Sequence, residues 1–287
     1  METLSIAPAV ALMYPAAIPF ICVLLLLSSI RLLPKKWLKS PLLVADLVIL
    51  SGIFLVFAVF DPGSIRHFFD PDRPMDWIPL LASAIFILRH LFPGRSLFPL
   101  ESVGVILGLL LLTLPILRQD SLFQGAVSYI STLAVWLGIR FIYPVDRIKG
   151  LDPLFLLPPF FTAAALAVLS PLSGSLLVGQ LAGGLAAVFG AMLLSAFFGT
   201  RISGVEPGWV IGALLVIGLR YVDISPVVIS SLAGALLVGG LAGRVSSFGR
   251  KAGTGKRTLI VAGVSILPLV AAIIVAVRSL KDQGGGY

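Results

Sequence analysis

The sequence predicts an all-α, polytopic membrane fold of about ten transmembrane helices, with both termini on the outer side. Three observations predict it. Apolar residues make up 58% of the 287-residue chain and charged residues only 12%, whereas a soluble domain carries about 45–50% and about 25%. A water-facing globule of this composition lacks the polar surface to cover itself, and the mean hydropathy of +1.08 agrees. The apolar residues fall into ten runs, several close to the roughly 20 residues that a membrane helix uses. Lys and Arg gather in alternate loops, as they do in loops held in the cytoplasm.

In chain order, the first run is 7–30, closed by Arg31, Lys35, Lys36 and Lys39. The second, 41–60, starts behind that cluster and stops at Asp61-Pro62. The third, 77–92, opens on Trp77 and ends before Pro93-Gly94-Arg95; the fourth, 98–117, ends at Arg118. The fifth, 124–143, ends on Tyr143 ahead of Arg147 and Lys149, and Pro153 opens the sixth, 153–170. The PLSGS turn separates it from the seventh, 175–199, and Pro207 opens the eighth, 207–221. The ninth is 225–243 and the tenth 258–277, closed by Arg278. Runs three and eight are short, which predicts tilt or partial re-entry.

Glu2 is the only charged side chain before the first run. A removable signal peptide would start with a basic stretch, so a first transmembrane helix with its N-terminus outside is expected. Counting cations tests the ten-span order. The odd-numbered loops and adjoining span ends hold fifteen, among them Arg89, Arg95, Arg140, Arg201 and Arg244; the even loops and C-terminus hold six, Arg66, Arg73, Arg118, Arg220, Arg278 and Lys281. Odd loops therefore face the cytoplasm and both termini face out. Trp37, Trp77, Tyr143, Trp209 and Tyr221 stand at run ends, where interfacial aromatics belong.

Ten helices of roughly 20 residues leave no loop long enough for a soluble nucleotide-binding or catalytic domain. Cys22 is a single cysteine, and His67 and His90 form no spaced pair. A disulfide, a thiolate metal cage or a bis-histidine site is therefore not expected, and no cofactor is implied. The net charge of +8 reflects cytoplasmic loops rather than nucleic-acid binding.

Residues 174–183 (GSLLVGQLAG) and 234–243 (GALLVGGLAG) agree at eight of ten positions, and VLSPLS at 168–173 aligns with VISSLA at 228–233. The match suggests a parallel two-helix repeat, spans six–seven and eight–nine. It also suggests a division into a bundle of spans one to five, 1–152, and a Gly-rich bundle of spans six to ten, 153–287. Gly104/Gly108, Gly179/Gly183, Gly208/Gly212 and Gly239/Gly243 are each four apart, on one helix face where backbones approach closely. The expected use is packing within the bundle; self-association is the alternative.

Ionisable residues at membrane depth are the default functional candidates. Asp46, Glu101, Arg89, His90 and Arg140 all fall toward the predicted cytoplasmic side of the N-terminal half. Two acids there can neutralise two arginines and form a polar pocket. The plainer reading has the arginines snorkelling to headgroups and Glu101 sitting at its helix start. Asp46 fits that reading least, because its side chain is too short to snorkel.

The outer loop 61–76 carries Asp61, Asp70, Asp72 and Asp76. Asp70-x-Asp72 resembles the start of a calcium loop, but the glycine and bidentate glutamate are missing, so no metal site is expected. Pro62, Pro71 and Pro74 predict a stiff connector. The last inner loop holds KAGTGKRT, whose first glycine and final Ser/Thr for a phosphate-binding loop are absent: Arg250 and Arg257 stand there. Arg250, Lys251, Lys256 and Arg257 are expected to face anionic headgroups. HExxH and GxSxG are absent, and no histidine is placed to activate a serine.

These observations point to a multi-pass plasma-membrane protein in contact with the lipid bilayer and with membrane protein partners. The favoured role is a non-enzymatic subunit or scaffold of a larger envelope complex. The alternative is a secondary transporter for a small solute or lipid, using the polar group around Asp46.

Overall fold

The computed structural model describes residues 7–32, 41–66, 69, 74–91, 106, 110, 126, 129, 130, 133, 153–198, 207–222, 224–248 and 254–284. Every regular element among them is helical. The helices are α1 (Ala7–Leu32), α2 (Pro41–Phe60), α3 (Pro62–Arg66), α4 (Trp77–Leu91), α5 (Leu157–Leu172), α6 (Leu176–Phe197), α7 (Pro207–Tyr221), α8 (Pro226–Phe248) and α9 (Thr254–Gly284). Short 3₁₀ turns at Pro74–Asp76 and Pro153–Leu156 lead into α4 and α5. The apolar runs predicted at 41–60 and 207–221 coincide with α2 and α7, and the tenth run extends at both ends into α9. Runs four and five lie largely outside the described residues. Within them, the Tyr129 hydroxyl donates to the Ile106 carbonyl at 3.2 Å.

Among the described residues, four helical segments are long and apolar enough to cross a membrane: Leu154–Leu172, Leu176–Phe197, Pro226–Val245 and Gly255–Arg278. Two of their hydroxyls are satisfied within their own helix, as an apolar medium favours, whereas those of Thr162 and Ser170 in α5 are buried without a hydrogen-bond partner. Ser231 and Ser265 donate to the carbonyls four residues back, at 2.9 and 2.7 Å, and Ser29 and Ser51 in α1 and α2 do the same.

The α5–α6 hairpin is the centre of the molecule. Its turn is dictated by sequence. Gly174 takes a positive φ of 91°, Ser175 N–H bonds Ser170 O at 2.9 Å, and Gly174 N–H bonds Pro171 O at 3.1 Å. This paired pattern closes the end of α5 and needs a left-handed residue, which glycine adopts without penalty. Ser175 then caps α6, its Oγ accepting from Val178 N–H. Gly174→Ala meets no atom within 4 Å, so only backbone strain opposes it. A loss of about 1 kcal/mol is expected, measured by thermal unfolding in detergent.

Close approaches fix the relative directions of the helices. Along α6, Gly179, Gly183 and Gly190 lie against Pro171, Ala167 and Phe160 of α5, so the two run antiparallel. Gly52 of α2 lies against Val188 of α6, and Gly184 of α6 against Val56 and Phe60 of α2. Helix α2 is therefore also antiparallel to α6, and α2 and α5 point the same way. Gly239 and Gly243 of α8 lie against Pro158 of α5 and Phe155 of the turn before it. Helix α8 thus runs parallel to α6, and α9 folds back along it, with Ser265 at Gly239.

The α1–α2 hairpin packs on α6, the α8–α9 hairpin packs on α5, and α7 touches α4, α5, α6 and α8. A single cluster of buried apolar residues runs from Val23 through Phe57, Leu166, Phe189 and Leu236 to Ala276, crossing residue 152. Burial falls outward from this centre. In the span of α5, 67% of residues are buried, but only 28% in that of α9.

Candidate functional site

The predicted polar group divides between described and undescribed parts of the chain. Asp46 is in the second turn of α2, and Arg89 and His90 are in the last turn of α4; their side chains lie outside the described residues, as do Glu101 and Arg140 entirely. The backbone nonetheless relates α2 to α4. Helix α3 touches the end of α2, the 74–76 turn and α4, so α4 begins beside the end of α2, and the two helices pack together. At 1.5 Å per residue, Asp46 and Arg89 each lie about 20 Å along their helix from this connector. That similar depth is the geometric content of the Asp46–Arg89–His90 grouping.

Two acids that the sequence reading assigned to a surface connector are buried. Asp61 is 6% exposed and Asp76 is fully buried. Asp61 closes α2, its N–H bonded to Phe57 O at 2.8 Å. Asp76 immediately precedes α4, the position where a carboxylate faces the free N–H groups of a first turn. The sequence signal was present: Asp76 followed by the apolar run Trp77-Ile78-Pro79 has the form of a helix start. Among the described residues, no group of three or more His, Cys, Asp or Glu is placed to hold a metal. Asp70 and Asp72 lie outside the described residues.

Four of the six glycines singled out in 179–243, Gly179, Gly183, Gly239 and Gly243, lie against α5 or the turn that leads into it. A Cβ at Gly179 would lie 2.6 Å from the Pro171 ring and 3.0 Å from the Ala167 carbonyl oxygen. At Gly239 it would overlap the Ser265 hydroxyl and lie 2.8 Å from the Pro158 ring. At Gly183 and Gly243 the nearest atoms, of Ala167 and Phe155, are at ordinary contact distance, 3.6 and 3.4 Å. The two copies of the GxxLAG sequence thus grip the same helix, α5, near its opposite ends. Gly212 is different, with nothing within 4 Å of an added Cβ. Gly104 and Gly108 lie outside the described residues.

The copies share this seam but not their other faces. Leu176 is exposed where its counterpart Leu236 is fully buried, while Val178 and Leu181 are fully buried where Val238 and Leu241 are exposed. The cause is position. Helix α6 packs between α5 and the α1–α2 hairpin, whereas α8 packs on α5, α7 and α9. A strict two-helix repeat would turn the second seam toward α7, and it turns toward α5.

Besides the two connector acids, the buried polar side chains among the described residues are all hydroxyls: Thr162, Ser170, Ser195 and Ser265. The centre built by α5, α6 and α8 is packed from glycine, proline, aliphatic and phenylalanine groups, suited to holding helices in a fixed relation. No family model, curated protein or solved structure matches this chain.

Proposed function

We propose that this chain is a multi-pass plasma-membrane protein of ten spans, with both termini outside, that serves as a non-enzymatic subunit of a larger envelope complex. The observation that carries the subunit reading is the interior. Among the described residues, the helices bury hydroxyls at membrane depth and otherwise glycine, proline, aliphatic, methionine and phenylalanine groups. Ionisable residues are the usual mark of an intramembrane pathway. The exposed apolar face of α9, bearing Leu267, Val270, Ile274 and Val277, offers surface to lipid or to a partner helix.

Helix direction supports the ten-span order. Because α2 and α5 point the same way, an odd number of crossings must separate them, and spans three, four and five supply it. Cysteine accessibility checks the topology. In a Cys22→Ser background, a cysteine at position 287 is expected to react with an impermeant maleimide added outside. A cysteine at position 252 should react only after the membrane is opened. The reverse pattern would discard the orientation.

The subunit reading is tested by a mild-detergent pull-down from the native membrane with mass spectrometry of co-purifying proteins. Stoichiometric membrane partners are expected. The second reading, a transporter, is favoured by one observation: the similar depth of Asp46 and Arg89 on packed helices. Under the subunit reading, Asp46→Asn leaves solute flux unchanged and alters assembly at most. A lone, monodisperse protein whose solute flux falls at least about tenfold on Asp46→Asn, while it still inserts, would replace the subunit with a transporter. Attraction of anionic headgroups to Arg250, Lys251, Lys256 and Arg257 belongs to either reading.

A further inference from the structure

We propose that helices α1, α2 and α4 are an inverted copy of α5, α6 and α7, related by a two-fold axis between α2 and α6, and that the molecule rocks about the α2–α6 contact between two arrangements in which the copies exchange roles. The proposal goes beyond the subunit reading and does not rest on it.

The α2–α6 contact is reciprocal. A shift of 132 residues takes Gly52, Ile53, Val56 and Phe57 onto Gly184, Leu185, Val188 and Phe189. A Cβ at Gly52 would lie 3.3 Å from Val188, and one at Gly184 would lie 2.6 Å from Val56. The same shift turns the first contact into the second, so each glycine receives the valine of the other copy. Such a mutual exchange of contacts is the mark of a two-fold interface. Burial agrees: Ile49, Ile53, Val56 and Phe57 are buried in α2, and so are their counterparts Leu181, Leu185, Val188 and Phe189 in α6. Because α2 and α6 are antiparallel, the axis that exchanges them is perpendicular to both. For helices that cross a membrane, such an axis lies in the membrane plane.

The third helices obey the same axis. The shift of 132 residues also takes Trp77, which opens α4, onto Trp209 in the first turn of α7. Both helices have 15 residues. Helix α4 packs on α2 as α7 packs on α6, and α4 touches α7. Gly218 of α7 lies against Ile229 of α8, in a hairpin that sets α7 in the direction of α5 and α2. Helix α4 turns back from α2, so α4 and α7 are antiparallel, as the axis requires. Gly- and Val-rich composition yields chance matches between helices, but it does not yield reciprocal contacts at one shift.

The first helices break the symmetry. Gly52 also lies against Val23 of α1, and Gly183 lies against Ala167 of α5. Gly184 is therefore level with Leu166, the counterpart of Val23, and both are buried. Two residues on, Leu25 and Val168 are 61% and 56% exposed, so the faces correspond. Among the described residues, however, α1 packs across the axis on α6 and not on α4, whereas α5 packs on α7 of its own copy and not on α2. One plan thus stands in two arrangements within one molecule. Exchanging them about the axis defines a second state, with α5 across on α2 and α1 on α4. Rocking of one inverted repeat against the other opens the interior to opposite membrane faces in turn, the motion by which such repeats carry a solute.

The test uses the full-length protein in lipid nanodiscs, in a Cys22→Ser background, with spin labels and double electron–electron resonance. The pair L25C/A187C reports α1 against α6, and its image V168C/L55C reports α5 against α2. Both pairs are expected to show the same two distances, the shorter dominant for L25C/A187C and the longer for V168C/L55C. G52A crowds Val23, whereas at Gly184 the nearest atoms belong to α2, so G52A disfavours the arrangement described. It should raise the longer distance of L25C/A187C and the shorter distance of V168C/L55C together, each by about fivefold in population ratio. V23A deletes the same contact and should act in the same direction, and it decides if G52A does not insert. A single distance for each pair in all of these proteins would overturn the exchange. A change in one pair without the other would also overturn it, because α1 would then be loosening by itself.

Discussion

Alanine at Gly239 or Gly179 is expected to destabilise the protein by about 1–3 kcal/mol each, the usual cost of forcing a methyl group into a filled interior. At Gly239 the new carbon meets the Ser265 hydroxyl and the Pro158 ring. The hydroxyl is held by its 2.7 Å bond to the Val261 carbonyl, and a proline ring has no rotamer to escape into. At Gly179 it meets another proline ring, Pro171, and a backbone oxygen. Controls come from the same helix environment. Alanine at Gly212 or Gly234 meets nothing within 4 Å, so there the better helix propensity of alanine prevails, a gain of about 0.5–1 kcal/mol. Pro158 and Pro171 are about 20 Å apart along α5, so the losses at Gly239 and Gly179 should add in the double variant. Unfolding followed by circular dichroism in detergent reads all five proteins. Neutral behaviour at both seam positions would show that the α5 seam is not closely packed.

Phe189→Ala is expected to be the largest single loss, about 2–4 kcal/mol. Phe189 is 1% exposed and lies among the largest fully buried side chains, in α6, which packs between α5 and the α1–α2 hairpin. For a chain folding in lipid, the transfer of apolar surface from water contributes little between helices, so what Phe189 supplies is packing. Its removal leaves a cavity that neighbours on both sides cannot both fill. Leu267→Ala deletes a similar amount of apolar surface from α9, where the residue is 72% exposed. It should change stability by no more than about 0.5 kcal/mol. Equal effects at the two sites would mean that α9 is packed against something that its exposure does not reveal.

Much of this was legible in the sequence because its physics is local. An apolar run between basic or proline-bearing ends favours one uninterrupted helix, and α2 and α7 match their predicted runs residue for residue. The SGS turn at 173–175 announced both the end of α5 and the start of α6. Less legible were the connector acids. Asp61 and Asp76 read as polar loop residues beside prolines, and only the folding of α3 between α2 and α4 buries them. The polar group around Asp46 could be drawn together on paper by assigning each residue a depth. Whether the side chains of Asp46, Arg89 and His90 meet depends on how α2 and α4 are rotated about their axes, which sequence spacing does not encode.

The near-identical segments 174–183 and 234–243 separate the two kinds of information most clearly. Sequence by itself determined that each is a helix with a glycine face at four-residue spacing, because that face follows from composition and the 3.6-residue period. It could not determine the partner. Only the tertiary structure decided that both faces close on α5, one near each end, and that Val178 and Leu181 are buried while Val238 and Leu241 are exposed. The physical reason is that a helix carries its own periodicity, whereas burial depends on how many neighbours surround it. Helix α6 lies between α5 and the α1–α2 hairpin, whereas α8 packs on α5, α7 and α9, so the same residues face protein in one copy and the surroundings in the other.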